Sequence, residues 1–412
     1  MPQTTPSLRL LHFADAHIDI ANYGKHDPET GLPVRVMDFL RSLDEIVDAA
    51  IKEAVDLVLF AGDAYKDRNP QPTFQREWGQ RIMRLSQAGI PTILLVGNHD
   101  MAPATGRAHT MQEFHTLAVP HIHLADDFCV LGPDTLGIPA QVVAIPWASR
   151  SKLMRFSDMA GKDVADVYLL MEEILAGWLD DQLNALDPTL PTILLAHTSV
   201  QGAQYGSERT VMLGQELTLS GSIVRDKRLD YVALGHIHKH QDFNAGRQPP
   251  VIYPGSIERI DFGEAREEKG YVLAEVRKRH TDWRFCPLPT RQFIDLSIEL
   301  DDAENFMADI MRQLPPAGRV QDAICRVRLS YPHDWETLLD ETAIYNHFAG
   351  ALSIQIQKLR DLNRRTRLGD TIGLETLTPT EMLALYWQTQ ALDQAETEAL
   401  QTLAKELLGT SP

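Results

Sequence analysis

The chain has 412 residues, of which 44% are hydrophobic and 23% are charged. This length accommodates two or three domains with buried cores, and the composition excludes a small disulfide-stabilised peptide, a fibrous chain and wholesale disorder. The 39 Lys and Arg residues against 57 Asp and Glu residues give a net charge of −18, which excludes a protein that coats nucleic acid by bulk positive charge.

Short apolar runs alternate with amphipathic segments over residues 1–288, and this alternation predicts a layered α/β domain. The predicted strands, in chain order, are 8–13, 56–61, 91–96, 191–196 and 229–234. The predicted helices between them are 34–54, 73–88 and 163–186. Several of the strands are continuous apolar runs, which is typical of a sheet that is covered on both faces.

The pattern changes after Cys286-Pro-Leu-Pro289, and a separate small α+β domain is predicted over residues 289–372. Its predicted strands are 293–300, 323–331 and 351–359, and its predicted helices are 302–314 and 335–348. The last strand leads into a basic run over residues 357–367, where five Lys and Arg side chains face one acid, Asp361. Such a run is either a solvated face or a stripe that contacts phosphate groups.

Residues 373–412 form a third region, a helical tail. Apolar residues at helical spacing predict two helices over 379–390 and 394–408. Isolated helices of this length are marginal in water, so their apolar face needs a surface to pack against. That surface comes from the small domain, from a second copy of the chain or from a partner protein.

The cysteine usage and the N-terminus predict where the protein resides. Cys129, Cys286 and Cys325 are an odd and widely spaced set, which favours free thiols in a reducing compartment over a disulfide framework. The first apolar run is broken by His12 and Asp15, so we expect no secretory signal. Every apolar run is shorter than the ~20 residues that cross a bilayer. We therefore expect a cytoplasmic protein with no membrane association.

Five short polar motifs interrupt the apolar runs, and most of them follow a predicted strand, where open α/β sheets bind their ligands. A turn explains any one of them alone, because Asn and Asp are common turn residues. All five together favour a cluster of carboxylate, imidazole and amide groups. The motifs are Asp15-Ala-His17, Gly62-Asp63, Gly97-Asn98-His99-Asp100, Ala196-His197 and Gly235-His236-Ile237-His238.

This set of side chains predicts a binuclear metal centre that hydrolyses phosphoesters. Carboxylate, imidazole and amide oxygen without thiolate suit Mn²⁺ best, with Fe, Zn²⁺ and Mg²⁺ as the other candidates. Two neighbouring divalent ions need a shared anionic bridge, and Asp63 is the candidate. Such a pair polarises a phosphoryl group and lowers the pKa of a bound water so that hydroxide forms near neutral pH.

The order of the five motifs resembles that of the calcineurin-like binuclear metallophosphoesterases over residues 8 to about 240. A second segment, with Glu268-Lys269-Gly270 just after it, is similar to the same region of SbcD-type DNA repair nucleases. That segment is Tyr253-Pro-Gly-Ser-Ile-Glu-Arg-Ile-Asp-Phe-Gly-Glu264. The resemblance implies a β-sandwich flanked by helices, with the small domain as a DNA-binding cap and the tail as the contact with an SbcC-type SMC-like ATPase. It also implies DNA as the substrate and a homodimer.

The resemblance also implies a role for each motif residue. One metal ion would be held by Asp15, His17, Asp63 and His238, and the other by Asp63, Asn98, His197 and His236. His99 would coordinate neither ion; it would face the substrate phosphate, stabilise the transition state and help to protonate the leaving oxygen. Asp100 would orient His99.

The chain departs from the family pattern after Gly62-Asp63, where many members have His or Asp three residues beyond the Asp. This chain has Lys66 at that position, followed by Asp67. Either Lys66 contacts a phosphate directly or Asp67 takes up the role, and in both cases the sequence leaves the preference for exonuclease or endonuclease cleavage open. Arg68 is either a second substrate contact or a surface residue. Trp147 is either a core residue or a side chain that stacks on a base.

The leading hypothesis is a metal-dependent DNA nuclease that acts in double-strand break repair with an SbcC-type ATPase. A small-molecule phosphodiesterase or phosphatase would use the same metal chemistry, although the appended domains count against it. A DNA-end tethering protein without catalysis is the third hypothesis, and the complete set of ligand side chains counts against it.

Overall fold

The computed structural model describes residues 7–102, 107–149, 164–206 and 217–361, with scattered positions between 383 and 404. It packs as two compact units: the first is the chain up to Asp295 with Gly318–Cys325 and Gly350–Ser353, and the second is the remainder. The predicted tail helices and the basic residues from Arg364 onward lie outside the described residues, apart from isolated helical positions in the tail. The predicted domain boundaries at 288 and 372 stay a prediction.

The first unit contains most of the regular structure. Its strands are β1 (Leu8–Phe13), β2 (Leu57–Phe60), β3 (Thr92–Leu95), β4 (Ile122–Ala125), β5 (Cys129–Leu131), β6 (Gln141–Ile145), β7 (Thr192–His197), β8 (Ser199–Val200), β9 (Thr218–Leu219), β10 (Tyr231–Gly235), β11 (Gln241–Asp242), β12 (Val251–Tyr253), β13 (Gly270–Arg277) and β14 (His280–Pro287). Its helices are α1 (Val34–Lys52), α2 (Pro72–Gln87), α3 (Gln112–Thr116), α4 (Pro133–Leu136), α5 (Val164–Ala185) and α6 (Gly221–Val224), with a 3-10 turn at Phe262–Glu264.

Two six-stranded sheets form the centre of this unit, in the orders β14-β13-β1-β2-β3-β4 and β11-β12-β10-β7-β6-β5. The sheets pack face to face, because Leu59 and Ile93 of the first sheet share one apolar cluster with Leu195 and Ala233 of the second. Strands β1 to β4 run parallel, as do β6, β7, β10 and β12. The predicted α/β fold, a layered sandwich flanked by helices, is confirmed.

The helices cover the outer faces of the two sheets. Val36, Phe39 and Leu43 of α1 recur at helical spacing and are fully buried with Trp78 of α2 against the first sheet. On the second sheet, α5 contributes Leu175 and its neighbours to a separate cluster. Each fully buried side chain of this size contributes roughly 1.5–3 kcal/mol relative to an exposed one. Both faces of each sheet are therefore covered by buried apolar side chains.

The second unit is built around a three-stranded sheet of β15 (Phe293–Glu299), β16 (Ile324–Pro332) and β17 (Ser353–Asp361), with β16 in the middle. Its helices are α7 (Phe306–Gln313) and α9 (Glu341–His347), with a 3-10 helix at His333–Leu338. The short helix α8 (Ala317–Val320) falls mostly in the part of the chain that belongs to the first unit. The single helix predicted over 335–348 is therefore two shorter ones. The break occurs because the Asp340 side chain accepts a hydrogen bond from the Ala343 amide at 3.1 Å and starts a new helix.

Of the cysteines, Cys286 and Cys325 are buried and Cys129 is partly buried, and all three are free thiols. Within the described part of the chain, none of the helices combines the length and apolar character that a membrane crossing requires.

Candidate metal centre

The five motifs lie at or just beyond the carboxyl ends of parallel strands β1, β2, β3, β7 and β10. Four of their residues have backbone conformations that L-amino acids rarely adopt: φ is 51° at Asp15, 40° at His17, 64° at Asp63 and 96° at His236. Such conformations cost of order 1–3 kcal/mol each and persist only where the surroundings impose them. Here the amides of Asp15 and His17 donate to the carbonyls of Gly62 and Asp63, at 2.9 and 3.1 Å.

The first group of side chains consists of Asp15, His17 and His238, whose potential ligand atoms all lie within 4.8 Å of one another. All three residues are buried. The two imidazoles approach each other through their Nε2 atoms, which are 3.2 Å apart. Their Nδ1 atoms point away, that of His17 to the Tyr65 carbonyl at 3.1 Å and that of His238 to Glu264 at 2.9 Å.

The second group consists of Asp63, His197 and His236, which meet the same distance limit and are also buried. Asn98 joins this group, because its Oδ1 lies 2.9 Å from His197 Nε2 and 3.1 Å from His236 Nδ1. Asp63 belongs to the second group and also faces the first. Its Oδ2 is 3.4 Å from His197 Nε2 and 3.8 Å from His17 Nε2, so one carboxylate oxygen faces both.

The hydrogen bonds around these imidazoles suit a cation. A carbonyl or carboxylate accepts only, so His17 and His238 both carry their proton on Nδ1 and both present an Nε2 lone pair. Two lone pairs 3.2 Å apart repel unless a proton or a metal ion lies against them. His197 donates Nδ1–H to the Ala61 carbonyl at 2.6 Å in the same way. The donor set therefore fits two divalent ions, and neither group contains a cysteine.

The electrostatics of the two groups are tightly linked. Burial would raise the pKa of Asp63, but the imidazoles of His197, His99 and His17 outweigh it and hold the pKa well below its ordinary value. Burial would lower the pKa of His197, but Asp63 and Asp15 overcome this and raise it to about 9. Burial raises the pKa of Asp15 to about 6, against the opposing pull of His238 and His197. The ionised Asp63 carboxylate therefore strongly stabilises positive charge beside it, and a divalent cation at this position would have the same benefit.

His99 lies beside Asp63 and outside both groups. Its backbone amide donates to Asp63 Oδ1 at 2.9 Å, and its ring meets that of His17 edge to face with centroids 5.3 Å apart. The ring Nδ1 donates to the Lys66 carbonyl at 2.8 Å, which leaves the lone pair on Nε2. Burial lowers the pKa of His99, although Asp63 opposes the shift.

Asp100 supports the loops around Asp63 through its carboxylate, and its role in orienting His99 stays a prediction. Its carboxylate accepts hydrogen bonds from the backbone amides of Asp63, Ala64 and Gly97, at 2.7, 2.8 and 3.0 Å. Three acceptor contacts with main-chain amides occupy the carboxylate, whereas the His99 Nδ1–H is already donated to a carbonyl. Burial, with repulsion from Asp63, raises the pKa of Asp100 to about 7. Asp100 thus fixes the Asp63 loop against the Asn98 loop.

Lys66 and Arg68, the predicted substrate contacts, are exposed on the loop after Asp63. The carboxylate of Asp19 fixes this loop by accepting the amides of Lys66 and Asp67, at 2.5 and 2.9 Å. Lys66 also lines a cleft of about 750 Å³ together with His26 and other polar residues. The structure therefore places Lys66 between this cleft and the His99 ring, and Arg68 further along the same loop.

Two side chains at the centre carry no predicted role as ligands or catalysts. The Trp147 ring is partly exposed and lies against His236, with ring centroids 5.0 Å apart. Glu264 is fully buried and bonds His238. The resemblance of the 253–264 segment was the available signal for Glu264, but its partner is 26 residues away, so local spacing does not reveal the contact.

The seven predicted ligands, Asp15, His17, Asp63, Asn98, His197, His236 and His238, all converge on this centre. Their assignment to two ions stays a prediction, as do the roles of His99, Asp100, Lys66 and Arg68.

Comparison with known proteins places this centre in a family. The family model for calcineurin-like phosphoesterases matches residues 8–240. The chain is 24% identical to the SbcD component of the nuclease SbcCD of Staphylococcus saprophyticus over 368 residues, 86% of this chain and 90% of that protein. It is 26% identical to the uncharacterized metallophosphoesterase YhaO of Bacillus subtilis over 73% of this chain, and spans 65% of that protein, just under two thirds. Among solved structures, a dimetal phosphatase from Danio rerio is similar at 12% identity and a TM-score of 0.39, over 67% of this chain and 98% of that one. The extent of the family match, from β1 to the last histidine motif, shows that the chain belongs to the calcineurin-like phosphoesterase family.

Proposed function

We propose that the chain is a metal-dependent nuclease that hydrolyses the phosphodiester bonds of DNA in double-strand break repair. The observation that carries the proposal is the pair of buried ligand groups, with the Asp63 carboxylate facing both and the His99 ring beside them. The similarity to a component of a nuclease over nine tenths of that protein's length favours DNA over a small phosphodiester.

In this proposal, Asp15, His17 and His238 would hold one ion and Asn98, His197 and His236 would hold the other. Asp63, whose Oδ2 lies near both His17 and His197, would be shared by the two. The donor set suits Mn²⁺ best, and ions held there would supply an activated water and neutralise the charge on the phosphoryl group. The carbonyls of Tyr65 and Ala61 and the Glu264 carboxylate fix the imidazole rings, so the ligand atoms are oriented before substrate arrives.

His99 acts on the substrate and not on the ions. Its Nδ1–H is held by the Lys66 carbonyl, so the only position at which the ring gains or loses a proton is Nε2. An anionic phosphodiester beside the ring favours protonation of Nε2, and that proton is then available for the oxygen that leaves. The exposed Lys66 and Arg68 side chains provide positive charge for the backbone on either side of the scissile phosphate.

The net charge of −18 opposes binding of a long polyanion by the chain alone. We therefore propose that an SMC-like ATPase of the SbcC type supplies most of the DNA affinity and contacts the helical tail, and that the nuclease acts as a homodimer. In this arrangement the nuclease needs only local positive charge beside the metal centre.

The test is a comparison of three substrates with the purified chain and Mn²⁺: labelled linear duplex DNA, single-stranded DNA and an aryl phosphodiester. We expect cleavage of DNA and of the aryl ester, with both activities abolished by chelation. Cleavage of the aryl ester alone, also in the presence of the ATPase, would favour a small-molecule phosphodiesterase. Binding of DNA ends without any cleavage would favour the tethering protein.

A further inference from the structure

The chain between β12 and β13 packs against the backbone of His238. Gly255 has a φ of 82°, and a Cβ atom at this position would lie 2.5 Å from the His238 carbonyl oxygen, so the approach requires glycine. The next residue, Ser256, donates its amide to the same carbonyl at 3.0 Å. This segment is therefore built around one of the candidate metal ligands.

Glu264 lies in this segment with its carboxylate fully buried next to the His238 ring. One oxygen, Oε1, accepts the Nδ1–H of His238 at 2.9 Å. The other, Oε2, accepts the Ile260 amide at 2.9 Å and the Lys269 ammonium group at 2.9 Å. A buried carboxylate is costly unless it is paired and hydrogen-bonded, and both oxygens here meet that condition.

Lys269 completes the arrangement with an ammonium group on a side chain that is buried, the residue being 1% exposed. Its three donors are matched by three acceptors: Glu264 Oε2 at 2.9 Å, Glu267 Oε2 at 2.8 Å and the His238 carbonyl at 2.9 Å. Glu264 thus holds the His238 ring and Lys269 holds the His238 carbonyl, and the two side chains form an ion pair with each other.

We propose that Glu264 and Lys269 are positioning residues that set the metal affinity of the first group, Asp15, His17 and His238, separately from the second. The proposal deepens the proposed metal-dependent hydrolysis and rests on it. Glu264 fixes the tautomer of His238 so that the Nε2 lone pair points at His17. Its negative charge also makes the imidazole more basic and therefore a stronger metal ligand.

The His238 ring of the first group has a stronger hydrogen-bond acceptor than the His197 ring of the second, which is why the two positions should differ. The His197 Nδ1–H is held by the neutral carbonyl of Ala61 at 2.6 Å, whereas the His238 Nδ1–H is held by a carboxylate that bears a full charge. Charge-assisted hydrogen bonds are roughly twice as strong as neutral ones. Loss of Glu264 therefore lowers the affinity of the first group for its ion and leaves the affinity of the second group unchanged.

The test measures Mn²⁺ binding to the full chain by equilibrium dialysis and elemental analysis. For Glu264→Gln we expect one ion to bind ~10–100-fold more weakly while the other keeps its wild-type affinity. Glu267→Gln is the matched control. It removes one of the carboxylates that pair with the Lys269 ammonium group, but it leaves Glu264, the acceptor of the His238 Nδ1–H, intact. Two ions of unchanged affinity in Glu264→Gln would overturn the proposal.

A second variant separates positioning from folding, because Glu264→Gln leaves Lys269 short of one charged partner. Glu264→Met with Lys269→Met removes both charges in a buried pair of similar volume, which is often neutral for stability. We expect wild-type thermal unfolding but still only one tightly held ion, and a change in the tautomer of His238 in the histidine ¹⁵N spectrum. If the double variant has wild-type thermal stability and binds both ions with wild-type affinity, Glu264 and Lys269 have only a structural role and the proposal is overturned. A wild-type chain that binds no ion would instead refute the proposed function.

Discussion

Replacement of His99 by alanine separates metal binding from catalysis. The contact between His99 and Asp63 is made by the backbone amide, at 2.9 Å from Oδ1, and the substitution leaves it in place. The ring itself lies outside both ligand groups. We therefore expect His99→Ala to bind two Mn²⁺ ions per chain with wild-type affinity.

The catalytic loss should be large because the ring is pre-oriented. Its Nδ1 is held at 2.8 Å from the Lys66 carbonyl, which fixes Nε2 as the atom that exchanges a proton with the substrate. Loss of a positioned acid or base lowers turnover by ~10²–10⁴. This corresponds to about 2.7–5.4 kcal/mol of transition-state stabilisation.

The assay compares two leaving groups at saturating Mn²⁺. A nitrophenyl phosphodiester releases a stable phenolate that needs no proton, whereas DNA releases a sugar oxygen that does. The loss in kcat should therefore be greater for a labelled oligonucleotide than for the nitrophenyl ester. His115→Ala is the control, since it removes an exposed imidazole from α3.

Two results would refute this reasoning. Loss of either ion in His99→Ala would mean that the ring is a ligand. An equal loss of kcat for the two substrates, with both ions present, would mean that His99 does not protonate the leaving oxygen.

Three further predictions address the metal bridge, the tail and the acid sensitivity of the core. Asp63→Ala should lose both ions and all hydrolysis, because Oδ2 faces both groups; elemental analysis and turnover measure this. Deletion after Gly373 should preserve metal content and hydrolysis of the aryl ester, since every candidate ligand precedes residue 240, but abolish co-purification with the ATPase. Burial lowers the pKa of His12 to about 3, so its unfolded form binds more protons below about pH 6.5 and stability falls as the pH drops. Urea unfolding should show about 2 kcal/mol less stability from this residue at pH 5 than at pH 7, and His12→Gln should remove that difference.

The layered fold was predictable because its signals are local. The run at 8–13 and the apolar spacing from Val36 to Val47 report directly on β1 and α1, whatever the rest of the chain does. The convergence of the ligands within each sheet was predictable too, since parallel strands bring their carboxyl ends to one edge of their sheet. The meeting of the ligands after β1, β2 and β3 with those after β7 and β10 depends on how the two sheets pack. The break at Asp340 was missed because a capping side chain competed with an otherwise continuous helical pattern.

The partners of the site residues could not be read from sequence. Glu264 meets His238 and Asp100 meets Asp63 only after the intervening chain has folded, over separations of 26 and 37 residues. The acceptor of the His99 ring is a backbone carbonyl, which every residue possesses and no motif marks. Types of ligand are thus written in the motifs, whereas tautomers and orientations depend on tertiary packing.

The left-handed backbone at Asp15, His17, Asp63 and His236 means that the side chains needed for metal binding lower the thermal stability of the protein. Glycine would occupy any of these positions with less strain, and so would asparagine at most of them. A directed-evolution experiment that rewards heat resistance alone would therefore tend to replace the very side chains that gather the ions. Variants from such a screen need to be sorted by metal content as well as by melting temperature, because the most thermostable variants are those in which loss of the metal ligands, and of activity, is most expected.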